Sequence, residues 1–298
     1  VPRAAVRFSL WPSNDHTWDE TLQLARWAEG AGLDGFWYAD HLMPHRPDNA
    51  VDDGDALECW TVLSAIGAQV SRVRLVSMVS PVTIPHPVLL AKKAVTADHV
   101  SGGRAVLGMG AGWQVNEHTA YHFDLPAPGE RVSRFEEAIR LVRSLLSQQR
   151  TTFGGTHFRT DDAPFSPKPV GPLPILVGTG SPRMLRITAR HADEWNCPNP
   201  AWRELSAKRD HLRRECERIG RDPDAIAVSE QVLVVVGRGE QGVREARERA
   251  LRRIGGFARF AGDCHVGEPA QVAESLRARV ALGVGELAIM FGDFGSEE

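Results

Sequence analysis

Asp40 and His41 stand together in FWYADHLMPH, residues 36–45, where an apolar, aromatic run ends in an acid and an imidazole. An imidazole titrates near neutral pH and can give or take a proton there, and a neighbouring carboxylate can orient a bound group or balance its charge. Pro44 disfavours a helix through His41 and His45, so the pair sits at the end of a strand or in a loop. A second candidate is VGTGSPR, residues 177–183, in which Val177, Gly178, Thr179, Gly180 and Ser181 lead into a helix start. Glycines let the backbone approach closely, and free N–H groups at a helix N-terminus attract anions such as phosphate. The same residues also suit a tight turn that binds nothing, and both readings stand.

Other stretches carry less. GMGAGWQVNE, residues 108–117, invites a dinucleotide reading, but Trp113 and Val115 occupy positions where G-x-G-x-x-G needs glycine. Its glycines read instead as room for backbone or a bound group against a strand end. His118 and His122 are four apart with Glu117 beside them, yet no Glu follows the first His as in H-E-x-x-H, so no metal site is assigned. His45, His86 and His99 read as surface or helix-end histidines. There is no G-x-S-x-G elbow, and no cysteine has an evident paired histidine, so covalent hydrolase chemistry has no support.

The elements that must position these residues alternate along the whole chain. AVRFSL precedes a helix over about 17–31, opened by Thr17 as N-cap with Glu20 three positions on, a capping box. DGFWYA is the second strand, with a helix over about 56–70. VRLVSMVS is the third, before the helix in HPVLLAKKAVTADHVSGG. RAVLGMGAG is the fourth, before ERVSRFEEAIRLVRSLLSQQ. LPILVGT, DEWNC, AIAVSEQVLVVVG and GELAIMF complete eight strands, with helices over about 182–191 and 201–219 and two helical stretches after the seventh. Near-continuous apolar strands each followed by a helix mean a parallel sheet covered by helices. Eight of them in this length predict an α/β fold, a (β/α)8 TIM barrel, with a doubly wound open sheet as the alternative.

In a barrel the active site lies at the C-terminal strand ends. Those ends hold ADH, SMVSP, GAGWQVNEH, VGTGSP and NCPNP, whereas the opposite ends hold plain turns. Residues 150–174 are too long and too rich in Pro and Gly for an ordinary connection and are expected to lie over the barrel mouth. Ser296 with Glu297 and Glu298 reads as the start of an eighth helix that lies beyond residue 298. The whole of 1–298 reads as a single domain.

Composition narrows the function classes. A net charge of −3 leaves no basic footprint for nucleic acid and no polybasic membrane anchor. No apolar run approaches the roughly 18 residues that span a bilayer. VPRAAVRFSL reads as the lead-in to a strand and lacks the apolar core of a secretion signal. Cys59, Cys197, Cys216 and Cys264 lie far apart, which fits a reducing cytoplasm better than a disulfide framework. Only four of the 35 basic residues are lysine, the bias of a GC-rich genome.

Taken together and in order, several of these stretches resemble the luciferase-like flavin and deazaflavin oxidoreductases over nearly the whole length. They are WDETLQLARWAEGAGLDGFWYADHLMPH, RVRLVSMVSPVTIPHPVLLAKKAVTADHVSGGRAVLGMGAGWQVNEHTAYHF, ERVSRFEEAIRLVRSLL, ILVGTGSPRMLRITARHADEWN and LGVGELAIMFG. The resemblance implies a (β/α)8 barrel with insertions, a coenzyme at its C-terminal mouth, and in many members a homodimer. With FSLWPSNDHTWDE and ADH, the chain is most similar to the subgroup that uses the deazaflavin coenzyme F420, and the arginine bias then implies an actinobacterial source; FMN is the alternative coenzyme.

By the same resemblance Asp40 and His41 match an active-site pair at the reactive edge of the ring. Ser77 and Met78 fall where F420-dependent members carry a bulge with a non-prolyl cis peptide that backs the ring. Asn116 matches a coenzyme-contacting position, and Val177 to Ser181 match the phosphate loop. Trp113 departs from the pattern: some sugar-phosphate dehydrogenases of the family carry a catalytic glutamate there, and tryptophan cannot act as an acid. Trp11, Trp60, Trp113 and Trp195 could wall an apolar site or serve as core. The implied function is hydride transfer between the deazaflavin C5 and a small organic substrate. The alternatives are an FMN-dependent monooxygenase using reduced flavin and dioxygen, and a non-catalytic flavin-binding or sensor protein.

Overall fold

The computed structural model describes residues 5–198, 203–253 and 264–292. Its strands are β1 (Arg7–Leu10), β2 (Gly35–Ala39), β3 (Arg74–Met78), β4 (Ser80–Pro81), β5 (Ala105–Gly110), β6 (Arg150–Gly154), β7 (Arg159–Pro164), β8 (Ile175–Gly178), β9 (Glu194–Cys197), β10 (Ala227–Val236), β11 (His265–Gly267) and β12 (Glu286–Phe291). The helices are α1 (Trp18–Gly30), α2 (Cys59–Gly67), α3 (Pro87–Ser101), α4 (Val115–Ala120), α5 (Pro128–Ser147), α6 (Pro182–His191), α7 (Leu205–Arg218), α8 (Gly239–Arg253) and α9 (Pro269–Ala281).

Strands β1, β2, β3, β5, β8, β9, β10 and β12 pair side by side in parallel, and β12 returns to β1 with Arg7 opposite Glu286. The eight close into a barrel, as the alternation of strands and helices predicts. Closure leaves those strands no free edge, which an open sheet would have to protect. The expected capping box is present, with Thr17 and Glu20 satisfying each other's backbone N–H groups at the start of α1. The expected eighth helix at Ser296 lies outside the described residues.

Side chains fill the barrel in layers. At the bottom, Glu286 accepts from Ser9 Oγ at 2.6 Å and Trp37 Nε1 at 3.0 Å, and pairs with Arg7 at 2.7 Å and Arg74 at 2.6 Å. Arg74 also bonds Glu194. Burial alone would raise the Glu286 carboxyl, but Arg74 and Arg7 outweigh it and hold it below the usual carboxylate range. Glu194 goes the other way, pushed up by burial that Arg74 only partly offsets. Above this lies an apolar plug of Trp37, Val76, Met78, Val106, Leu176 and Ala288. Its valine, leucine and methionine side chains each contribute about 1.5–3 kcal/mol on burial, so the plug is a rigid floor on which a mouth can be built.

Outside the strands, two larger apolar clusters bind the helices, one under α1, α2, α3 and α5 and the other under α6, α7 and α9. No helix among the described residues is long and apolar enough to cross a membrane.

The expected position of residues 150–174 is corrected. β6 and β7 form an antiparallel hairpin on the flank of α3 and α5, with Phe158 against His86 at the start of α3, and none of residues 150–174 lines the cavity at the mouth. Glu137, midway along α5, accepts the N–H groups of Thr156, His157 and Phe158 at 2.8–3.2 Å, fixing the tip. Asp98 of α3 accepts from Val170 and Gly171, and Lys168 bonds the Leu145 carbonyl at the end of α5. Two helical carboxylates that accept backbone donors decide this docking, and neither is visible as a partner in the sequence.

Candidate active site

β2 ends at Ala39, and the chain leaves the barrel as Asp40-His41. His41 Nδ1 lies 3.0 Å from Glu117 Oε1, and the other oxygen of Glu117 accepts the Leu42 N–H at 2.7 Å. Glu117 is 1% exposed. It comes from α4, a six-residue helix too short to persist alone. Its neighbours tie that helix to the loop after His41. Gln114 Nε2 donates to the Met43 carbonyl at 2.9 Å, and Asn116 Nδ2 donates to the carbonyls of Pro44 and Ala50 at 3.0 and 3.2 Å. His118 belongs to the same frame: Nδ1 is 2.6 Å from the Gln114 carbonyl and Nε2 is 2.8 Å from Thr83 Oγ1.

Burial raises the Asp40 carboxyl, with a hydrogen bond from Ser80 pulling the other way. Ser80 in turn accepts from Trp60 Nε1 at 2.9 Å. The strand-two acid, its carboxyl pushed up by burial, thus stands beside an imidazole whose ring is oriented by a second, buried carboxylate.

The floor of the mouth is set by Val79. The Met78–Val79 peptide is cis, at the site expected for a bulge after β3. Val79 turns inward over three glycines: a Cβ at Gly110 would lie 2.7 Å from Val79 Cγ2, one at Gly178 would lie 3.1 Å from both methyls, and one at Gly108 3.0 Å from Cγ1. A Cβ at Gly108 would also overlap the Ser77 carbonyl oxygen. These glycines therefore make room for Val79 itself. Ser77 Oγ bonds Gly108 from both sides, to its carbonyl and from its N–H, and so locks β3 to β5.

Gly112 has a left-handed backbone (φ +86°), and a Cβ there would strike the Thr83 hydroxyl. This turn sends Trp113 out to the rim. Its ring meets His41 edge to face at 5.4 Å and His45 at 4.8 Å.

After β8, the Thr179 carbonyl accepts from Trp195 Nε1 at 2.8 Å, and the Gly180 carbonyl accepts from Lys208 Nζ at 2.7 Å. Ser181 is the N-cap of α6, but its side chain makes no capping hydrogen bond. Arg131 reaches over from α5, with Nη1 on the Gly112 carbonyl at 2.8 Å and a buried Nε that has no partner.

These groups enclose a cavity of about 220 Å³, lined among others by His41, Val79, Trp113, Arg131, Thr179 and Ser181. Gly178 and Glu117 line it too. Of the residues expected at the site, the structure gathers His41, Gly178, Thr179 and Ser181 on this cavity. Asp40 is half-buried beside it, and Gly180 lies in the adjoining turn. Ser77, Met78, Asn116 and Val177 are buried behind the wall. Trp60 and Trp195 are core, Trp11 packs on the inner-barrel plug, and only Trp113 lines the cavity.

Three wall residues escape a reading of the sequence: Glu117, Val79 and Arg131. Arg131 offers one signal, since a cation near the N-terminus of a helix opposes the helix dipole and needs a reason to be there. Glu117 offers none, because its partner is 76 positions away.

A closed parallel barrel with a histidine, a buried acid and a glycine turn at its C-terminal strand ends has the architecture in which active sites are built at that face. The chain belongs to the luciferase-like monooxygenase family, which matches residues 4–263. It is similar to the F420-dependent glucose-6-phosphate dehydrogenase of Kineococcus radiotolerans, 36% identical over 57% of this chain and 49% of that one. It is also similar to the F420-dependent hydroxymycolic acid dehydrogenase of Mycobacterium tuberculosis, 30% identical over 76% of this chain and 62% of that one. The chain thus spans about half the length of the first of these curated relatives. A solved F420-dependent secondary alcohol dehydrogenase, in complex with an F420-acetone adduct, shares the fold with a TM-score of 0.84 at 16% identity, covering 97% of this chain and 94% of that one.

Proposed function

We propose that the protein is a coenzyme F420-dependent oxidoreductase that transfers a hydride between the deazaflavin C5 and a small organic substrate. The observation that carries this reading is the His41–Glu117 pair at 3.0 Å on the wall of the mouth cavity. The relatives whose names specify F420 support the choice of coenzyme.

The residues present fit such a group. Arg131 keeps a buried Nε without a partner, and Ser181 leaves the N-terminus of α6 uncapped beside it. Together they suit the phosphoryl group that F420 and FMN both carry. Gly178 and Thr179 would bring backbone close to that group, and Val79 would back the ring from the barrel floor. Asp40 would orient the ring from beside His41, with Ser77, Met78 and Asn116 holding the wall behind it.

When bound, the deazaflavin supplies or accepts the hydride. His41 handles the accompanying proton at Nε2, the ring nitrogen that Glu117 does not engage. Glu117 fixes the plane and tautomer of that ring, because its second oxygen is itself anchored by the Leu42 N–H. Trp113 shields the cavity from water at the rim. The reading extends to a cytoplasmic enzyme in which 1–298 works as one domain, with buried thiols at Cys59, Cys197 and Cys216 in its support.

The test is a titration of the purified protein with F420 and with FMN, followed by fluorescence quenching. Micromolar quenching by F420 is expected; binding of FMN with none of F420 overturns the reading in favour of a flavin-dependent monooxygenase. In the F420-loaded protein, His41→Ala is expected to leave coenzyme affinity within about threefold and lower turnover by about 10²-fold or more, the scale of a lost general acid. Unchanged turnover removes His41 from the chemistry.

A further inference from the structure

Trp113 is the anomaly of the mouth. It is 52% exposed, and of the exposed large aromatics among the described residues (Phe8, Trp18, Trp27, Trp113 and Tyr121) it alone lines the mouth cavity. A large aromatic left half in water beside a cavity marks a contact surface that a ligand completes. Its placement is built. Gly112 cannot be any other residue without striking Thr83, and that turn delivers the indole to the rim. His41 at 87° and His45 at 63° then hold it from two directions by ring-edge contacts. The indole plane is therefore set by two neighbours.

Depth separates the two sides of the cavity. Val79 packs on the inner-barrel plug and forms the floor, where a coenzyme ring would rest. Trp113 stands at the outer end, next to the histidine that handles the proton. The lining also offers apolar surface at Pro81, Val132 and Met184, and its one cation, Arg131, is the group assigned above to the phosphoryl of the coenzyme.

We propose that Trp113 is the specificity-determining wall of the substrate subsite, and that it selects a neutral substrate whose reacting carbonyl is part of a flat, conjugated segment. This rests on the hydride-transfer reading above. A flat π system stacks on an indole with an attraction beyond simple area burial, whereas a hexose phosphate brings hydroxyls and charge to a wall that cannot satisfy them. In the reducing direction the carbonyl carbon gains the hydride, the π pair moves to oxygen, and that oxygen takes the proton from His41. The coenzyme is oxidised by two electrons, and an alcohol is formed.

The experiment measures equilibrium binding of benzylideneacetone and of a hexose phosphate to the protein saturated with whichever of F420 or FMN it binds. Wild type is expected to bind benzylideneacetone and not the hexose phosphate. Trp113→Phe should stay within about threefold, and Trp113→Ala should weaken binding by about tenfold or more, on the scale of a lost aromatic contact. Coenzyme affinity should be the same in all three. Trp113→Leu keeps bulk without a π face and should also lose affinity, which preserves the comparison should the alanine variant fail to fold. Equal binding by wild type and Trp113→Ala, or preference for the hexose phosphate, overturns the proposal. Binding of FMN alone would overturn the coenzyme reading instead, and the Trp113 comparison would still run on the FMN-loaded protein.

Discussion

The sharpest consequence of the mouth geometry concerns Gly110 and Val79. In Gly110→Ala the new Cβ would stand 2.7 Å from Val79 Cγ2, whereas carbon atoms pack at about 3.5–4.0 Å, so the methyl must retreat by about 1 Å. Rotation relieves it only at a cost, because the side chain is β-branched and stiff at χ1. Otherwise the bulge itself must move, which for overpacking of this kind costs about 1–3 kcal/mol. It moves into the cavity, so coenzyme affinity should fall by about tenfold or more, since 1.4 kcal/mol is a factor of ten.

Val79→Ala removes both methyls and by itself costs no more than about 1.6 kcal/mol, two methylene equivalents. In the double variant the new Cβ meets empty space, so the two changes should cost less together than their sum by about 1–3 kcal/mol. The assay is urea unfolding and coenzyme titration on the four proteins of the cycle. Additivity within about 0.5 kcal/mol, or a Gly110→Ala protein as stable and as tight as wild type, would refute the assignment of these glycines to Val79.

Two further outcomes follow from the acids of the site. Glu117→Gln keeps the shape but has one accepting oxygen and one donating NH2, so either an N–H at Leu42 or His41 loses its acceptor or the His41 ring is held in the other tautomer. A hydrogen bond to a charged group is worth about 1.5–3 kcal/mol, and kcat should fall roughly 10- to 100-fold while KM and coenzyme affinity hold, a split that general loosening of the loop would not produce. Asp40 has a folded-state value raised by burial, so the stability it contributes is fully present below the ordinary aspartate range and is lost as pH rises through the raised value. Asp40→Asn should therefore unfold at a higher urea concentration than wild type near about pH 7.5 and lose that advantage toward about pH 3.5; the reverse trend would show that Asp40 is stabilised as the anion.

The limits of the sequence show in particular residues. Asp40 and His41 were legible because a strand-end polar pair is a local feature, and the barrel rule places every strand end at one mouth. The glycines of strand four were legible as glycines but not as a seat for Val79, since the side chain that fills them comes from the next strand around the barrel. Asn116 stands where the resemblance places a coenzyme contact, yet its amide donors go to the Pro44 and Ala50 carbonyls. The hairpin of 150–174 carries the composition of a loop either over the mouth or on the flank, and two helical carboxylates choose the flank.

What the sequence determined by itself is what depends on near neighbours: the eight strands and their helices, the capping box at Thr17, the Asp40-His41 pair and the glycine turn before Ser181. Periodicity, capping and turn chemistry act over a few residues, so they can be read along the chain. The tertiary structure decided which of these groups face one another. Glu117 reaches His41 from 76 residues away, Arg131 crosses from α5 to the Gly112 carbonyl after β5, and Val79 settles on glycines from two other strands. Those contacts arise only when the sheet closes, because closure brings strand ends far apart in sequence onto one rim and gives each side chain its partner.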